Sequence, residues 1–291
     1  MRIAITADLH WGINAAGDAA TRQMLTDLTA DPPDLLILAG DVGAGDEFGP
    51  CLTLFDCLDC RKAIVPGNHD LWVTAADPRG DSWAVYHEHL PALCAARGFH
   101  YLDHGPLIVP DADLAVVGSV NWYDYSWADF QALAEYFPDW QDRLVTKRFT
   151  RGRHNDARFV RWHHDDASFT AEVVAVLERQ LAAALATVGR AVVVTHHPPF
   201  RALNFPRSGS PTPDGLLWDA FAGNGALEEV LRRHADRVAF AFCGHTHRAR
   251  AGDFAGVRGF NVGGDYSFKR LLTLDWPAGE VTERTYGEPA A

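Results

Sequence analysis

The chain has 291 residues, with 26 Lys and Arg against 38 Asp and Glu for a formal net charge of −12; 47% of it is hydrophobic and 22% charged. That length supports one large domain or two small ones around a core that needs no staples, and the composition excludes global disorder. The acidic balance argues against a general nucleic-acid or anionic-membrane surface.

In chain order, residues 3–7 form a continuous apolar run that ends at Asp8-Leu9-His10. This opening reads as a buried strand rather than a secretory signal, which needs a longer apolar stretch and a small-residue cleavage site. A helical spacing over 18–30 follows, then apolar runs at 35–39 and 63–65 that end at Gly40-Asp41 and Gly67-Asn68-His69-Asp70. A second helix is expected over 83–96 and a hairpin from 107–109 and 114–120. Residues 121–166 are aromatic and then basic; they read as a helical excursion with a solvated basic face or as a cap-like insertion beside the site, in a single domain spanning 1–291. A long helix over 168–187, an apolar run at 191–195 ending at His196-His197, and a helix over 225–234 come next. The run 238–243 ends at Gly244-His245-Thr246-His247, and 257–262, 270–274 and 281–285 read as consecutive strands. Continuous rather than alternating hydrophobicity means strands buried on both faces, and their alternation with helices means βαβ units.

No apolar run reaches the roughly 18–20 residues of a membrane span. The five cysteines are an odd number, and Cys57-x-x-Cys60 has no second pair to complete a zinc site. A soluble, cytoplasmic chain with reduced thiols is expected.

Ligands in open α/β sheets bind beyond the carboxyl ends of strands, so residues far apart in sequence converge there. Asp8 and His10 are two apart, as are His245 and His247, a spacing that puts both side chains of an extended pair on one face. Any one such element is commonly a turn or a helix cap. Five of them, each at a strand end, are hard to explain as independent accidents. Carboxylates and imidazoles gathered in one cleft would repel or desolvate without cations. The donor set lacks thiolate and suits borderline divalent ions such as Mn, Fe, Zn, Co or Ni.

The ordered set Asp8-x-His10, Gly40-Asp41, Gly67-Asn68-His69-Asp70, Thr195-His196 and Gly244-His245-Thr246-His247 resembles the calcineurin-like metallophosphoesterases across about residues 3–275. The resemblance implies an α/β fold, a four-layer αββα sandwich of two mixed sheets flanked by helices, with a dinuclear metal centre. Asp8, His10 and His247 would hold one ion and Asn68, His196 and His245 the other, with Asp41 bridging. The expected reaction is hydrolysis of a phosphodiester or phosphomonoester by a bridging hydroxide. His69 would assist the leaving oxygen and Asp70 would orient its imidazole. His197 is a candidate substrate contact or a support behind the ligands, and Arg201 and Arg207 are candidate substrate contacts. Trp11 and Trp72 are read as core packing, with stacking on a base or aryl group as the alternative. The expected partner is a small phosphorylated substrate, not a membrane or nucleic acid. A nuclease of the same family and a non-catalytic metal-binding scaffold remain as alternatives.

Overall fold

The computed structural model describes residues 1–43, 45–205 and 211–288, and its twelve strands form two six-stranded sheets. The first holds β1 (Arg2–Thr6), β2 (Leu35–Ala39), β3 (Arg61–Val65) and β4 (Phe99–Tyr101) in parallel. The second begins with the antiparallel hairpin β5 (Leu107–Val109) and β6 (Leu114–Ser119), and continues in parallel through β7 (Arg190–Thr195) and β8 (Val238–Cys243). Antiparallel β9 (Arg250–Phe254) and β10 (Val257–Asn261) close that sheet, with β10 parallel to β8. The chain then returns to the first sheet as β11 (Lys269–Asp275), antiparallel to β1, and β12 (Glu280–Tyr286).

Why the strands lack alternation is visible in where their side chains go. Leu35, Ile37 and Ala39 of β2 face the space between the sheets, where they meet Val192 and Val194 of β7. Leu36 and Leu38 face outward to the helix Ala15–Ala30, which buries Ala20, Met24 and Leu28 against them. In β7 the outward residues are Ala191 and Val193, covered by Val174, Leu177 and Leu181 of the helix Asp166–Leu185. Each central strand is thus apolar on both faces, and the result is four layers, helices outside and sheets within.

Among the local features that differ from expectation, three stand out. The helix expected over 83–96 is divided into Ser82–Ala84, a wider π turn Val85–His89 and Leu90–Ala96. Pro91 near the start of the last piece has no N–H to donate back into the preceding turn. The C-terminal strands do not stay together, since β10 belongs to one sheet and β11 and β12 to the other. β9 is not evident from the sequence because Arg-Ala-Gly-Asp-Phe has little strand propensity and sits at an edge. All five cysteines are free, with Cys57 exposed and Cys60 half-buried. Among the described residues no helix is long and apolar enough to cross a membrane.

Residues 121–166 are built on short helices, Phe130–Tyr136, Trp140–Thr146 and Asp156–Phe159. Trp122, Tyr123, Leu133, Leu144 and Phe149 join the apolar layer outside the first sheet. Part of the basic character is spent internally, because Lys147 pairs with Asp166, and Arg143 and Arg148 pair with Asp139.

Candidate metal centre

β1, β2, β3, β7 and β8 all end toward the same side of the sandwich, and the loops leaving them bring the polar residues together. Asp8, His10, Asp41 and His247 each offer one ligand atom, and these four atoms lie within 4.8 Å of one another. His10 Nε2 and His247 Nε2 are 3.0 Å apart, and His247 Nε2 is 3.7 Å from Asp8 Oδ1. On the other side, His196 Nε2 is 3.1 Å and His245 Nδ1 3.3 Å from Asn68 Oδ1. Asp41 stands between the two groups. Its Oδ1 faces His196 Nε2 at 3.3 Å and its Oδ2 faces His10 Nε2 at 3.6 Å.

The backbone that achieves this is not extended. Asp8, His10, Asp41, His245 and His247 all have positive φ, between 44° and 74°. They are half of the ten non-glycine residues in that region among the described residues. Left-handed backbone is unfavourable for such residues and persists only where surroundings over-determine it. Neighbouring glycines make the approach possible. A Cβ on Gly67 would collide with the Asp41 carboxylate, and one on Gly40 (φ 89°) with the His196 ring.

Orientation is fixed from behind. His196 Nδ1 is 3.0 Å from the Ala39 carbonyl, which turns Nε2 inward. His247 Nδ1 is 3.3 Å from Asp265 Oδ1. The buried ammonium of Lys269 donates to the carbonyls of Asp8 (3.0 Å) and Asp265 (2.6 Å). Burial lowers its pKa to about 8.

These residues fit cations. Asp8 Oδ2 and His245 Nε2 are buried with no hydrogen-bond partner among the described residues. Burial pushes Asp8 up toward its protonated form and pushes His10 and His245 well down, leaving neutral imidazoles with free lone pairs. Burial opposes ionisation of Asp41 too, but His196 and His69 beside it hold it well below the usual carboxylate range. His196 is drawn up to about 9, because the attraction of Asp41 and Asp8 overcomes its burial.

His69 lies at the cleft floor with Nε2 3.8 Å from Asp41 Oδ2. Asp70 does not orient it. Asp70 instead accepts from the backbone N–H groups of Val42 (2.9 Å), Gly43 (3.2 Å) and Gly67 (2.8 Å), tying together the loops after β2 and β3. What fixes the His69 ring is Trp72, stacked on it at 3.6 Å between ring centroids. Trp72 is therefore a cleft residue, whereas Trp11 is buried in the core under Arg22.

His197 is fully buried, with Nδ1 3.4 Å from the Val120 carbonyl and its ring 4.0 Å from that of His245. It backs a site residue and does not reach substrate space. Arg201 does not line the cleft; its backbone N–H bonds Glu228 and its guanidinium lies over Trp127. Arg207 lies outside the described residues.

Besides Asp265 and Lys269, one more positioning residue is not marked by the sequence pattern. Asp156, fully buried in the 121–166 segment, accepts from Asn68 Nδ2 (2.9 Å), Trp72 Nε1 (2.8 Å) and the Tyr123 hydroxyl (2.9 Å). Its Oδ2 also lies 3.3 Å from His154 Nδ1. By holding the Asn68 NH₂, it points Oδ1 of that amide at His196 and His245. The sequence signal was slight: a lone acid among the basic residues of 143–164.

Above this floor opens a cleft of about 750 Å³. Phe149, Arg153, His154 and Asn155 of the 121–166 segment form part of its wall, facing Trp72 and Tyr266 and bounded by Phe205 and Trp218.

A family model described as calcineurin-like phosphoesterase matches residues 1–249. No curated protein matches the chain. The phosphopantetheinyl hydrolase of Mycobacterium tuberculosis superposes with a TM-score of 0.64 at 22% identity, covering 91% of this chain and 89% of that one. A dimetal phosphatase from Danio rerio gives 0.56 at 14% identity, covering 99% of this chain and 98% of its own. At these identities the likeness is one of fold.

Proposed function

The chain belongs to the calcineurin-like phosphoesterases, and from that footing we propose that it hydrolyses a small-molecule phosphoester, a phosphodiester or a phosphomonoester, at a dinuclear metal centre. The observation that carries this reading is Asp41, one carboxylate oxygen toward each of two donor groups. Asp8, His10 and His247 would hold one ion with Asp41, and Asn68, His196 and His245 the other.

When bound, two divalent ions supply an acidified water and positive charge for the phosphoryl oxygens. The chain's own residues do the rest. His69, with its ring face on Trp72 and Nε2 toward Asp41, is placed to assist the departing oxygen. A diester and a monoester alike leave an alkoxide that gains from such help. Asp70 keeps the two ligand loops at a fixed separation through three backbone N–H groups. The wall residues above the floor define which esters enter.

The test is to strip the purified chain with chelator and reload it with Mn, Fe, Zn, Co or Ni in turn. Aryl phosphodiesters and monoesters and a phosphopantetheinyl diester are assayed while bound metal is measured. Stripped protein should be inert and reloading should restore turnover, while Asp41→Asn should lose metal and activity together. Full activity without metal would overturn the mechanism. Two bound ions with no hydrolysis of any ester would favour a non-catalytic scaffold.

A further inference from the structure

The apolar lining of the cleft is unusual in kind. Phe149, Phe205, Trp218, Trp72 and Tyr266 contribute rings, and Pro211 adds a further ring edge. No Leu, Ile, Val or Met lines it among the described residues, although such residues dominate the three cores beneath. A cleft for a flexible aliphatic arm needs no such exclusion. One lined by rings suits a flat π system, because planar rings stack on aromatic faces.

The rings adjoin as a faceted shelf, Trp218 tilted 32° from Phe149 and set at 60° to Phe205. Trp218 lies 4.8 Å from Phe149 and 5.8 Å from Phe205, centroid to centroid. It belongs to the helix Pro213–Ala220, whose Leu216, Leu217 and Ala220 turn into the core while Trp218 stays 39% exposed. Tyr266, 36% exposed, faces the cleft nearer the metal floor. Isolated exposed aromatics need no explanation, but two on one cleft form a surface that gains from being covered. The shelf is also braced. Thr150, next to Phe149, donates through its N–H (2.8 Å) and its hydroxyl (2.6 Å) to the carboxylate of Asp214 in the Trp218 helix.

Charge adds a second requirement. Arg153 is the one Lys or Arg lining the cleft among the described residues, is exposed, and makes no ion pair there. Arg143, Lys147 and Arg148, which precede it, are all committed to carboxylates. A guanidinium left open beside an aromatic shelf suits a second anionic group on the ligand. The volume of about 750 Å³ is far larger than a phosphate needs and lies in the range of nucleotide-sized ligands.

We propose that the shelf of Phe149, Phe205 and Trp218 with Arg153 is a subsite for a planar heteroaromatic arm carrying a second anionic group, so that the substrate is a nucleotide-like phosphodiester or phosphoanhydride. This rests on the phosphoesterase reading of the metal floor and specifies its substrate class.

Three p-nitrophenyl phosphodiesters that differ only in the other arm (methyl, n-octyl and thymidine 5′-linked) test the shelf by kcat/KM. The thymidine ester should exceed the methyl ester by tenfold or more and should exceed the octyl ester. Trp218→Ala should bring the thymidine-to-methyl ratio toward one. Arg153→Ala should weaken binding of thymidine 5′-diphosphate more than that of thymidine 5′-monophosphate, read by calorimetry on the metal-loaded chain. A ratio of one in the wild type, a preference for octyl, or a ratio unaltered by Trp218→Ala would overturn the proposal. Calorimetry with the two nucleotides needs no turnover. If they bind, Trp218→Ala weakens that binding and no ester is cleaved, the subsite stands and the phosphoesterase reading fails; if neither binds while the methyl ester is cleaved, the reverse holds.

Discussion

His247 and Asp265 meet at 3.3 Å, imidazole Nδ1 against carboxylate Oδ1, and this contact turns His247 Nε2 toward His10 and Asp8. The two partners come from different loops, after β8 and before β11. Lys269 pins the second loop by the Asp265 carbonyl. A carboxylate behind a ligating histidine sets its tautomer and raises its basicity.

Asp265→Ala should therefore weaken divalent metal binding by about 10–100-fold while the fold survives. Metal titration into stripped protein checks this, with circular dichroism confirming structure. Unchanged affinity would show that His247 is held by Asp8 and His10 alone.

Asp156→Ala should release the Asn68 amide and reduce bound metal from two ions per chain toward one. Asp156→Asn keeps an acceptor for Asn68 and Trp72 and should retain most of both. Metal stoichiometry separates these outcomes, and equal metal content in the alanine variant would make Asp156 a packing residue only.

His69→Ala should keep both ions and lower kcat by roughly 10²–10⁴-fold. Metal content measured beside turnover distinguishes this from Asp41→Asn, which should lose both. Loss of metal in His69→Ala would move His69 from assisting the leaving group to holding the centre.

Asp103 offers a pH signature outside the metal floor. Its carboxylate accepts from the Tyr86 hydroxyl (2.6 Å) and the Val120 N–H (2.8 Å), and burial raises its pKa to about 7. Between about pH 4 and pH 7 the unfolded chain has lost this proton and the folded chain still holds it, so stability falls as pH rises and levels off above 7. From pH 5 to 7.5 the loss is at most about 3 kcal/mol from this one group. Asp103→Asn keeps the acceptor and removes the titration. Denaturant unfolding at the two pH values should show a smaller fall in the variant, and parallel falls would remove Asp103 as the cause.

The doubly apolar strands and their polar ends were legible because burial on two faces leaves no alternation to misread, as in Leu35–Ala39. The site positions followed because a strand end is a place in space as well as in sequence. What was not legible was conformation and long-range pairing. The spacing of Asp8 and His10 suggested an extended pair, yet both are left-handed. Asp70 looked like the partner of its neighbour His69 and instead bonds the backbone of residues 42 and 43. Asp156 is 88 positions from Asn68, a pairing that no local pattern encodes.

Five left-handed side-chain-bearing residues at one floor have a further consequence. Each costs on the order of 1–3 kcal/mol relative to an unstrained backbone, so the residues that define the site also oppose folding. Glycine at His10 or His245 would relax the chain locally while deleting a donor. Screens that select this protein for heat tolerance alone should therefore drift toward sturdier, inert chains, and retained metal content is the quantity to select alongside melting temperature.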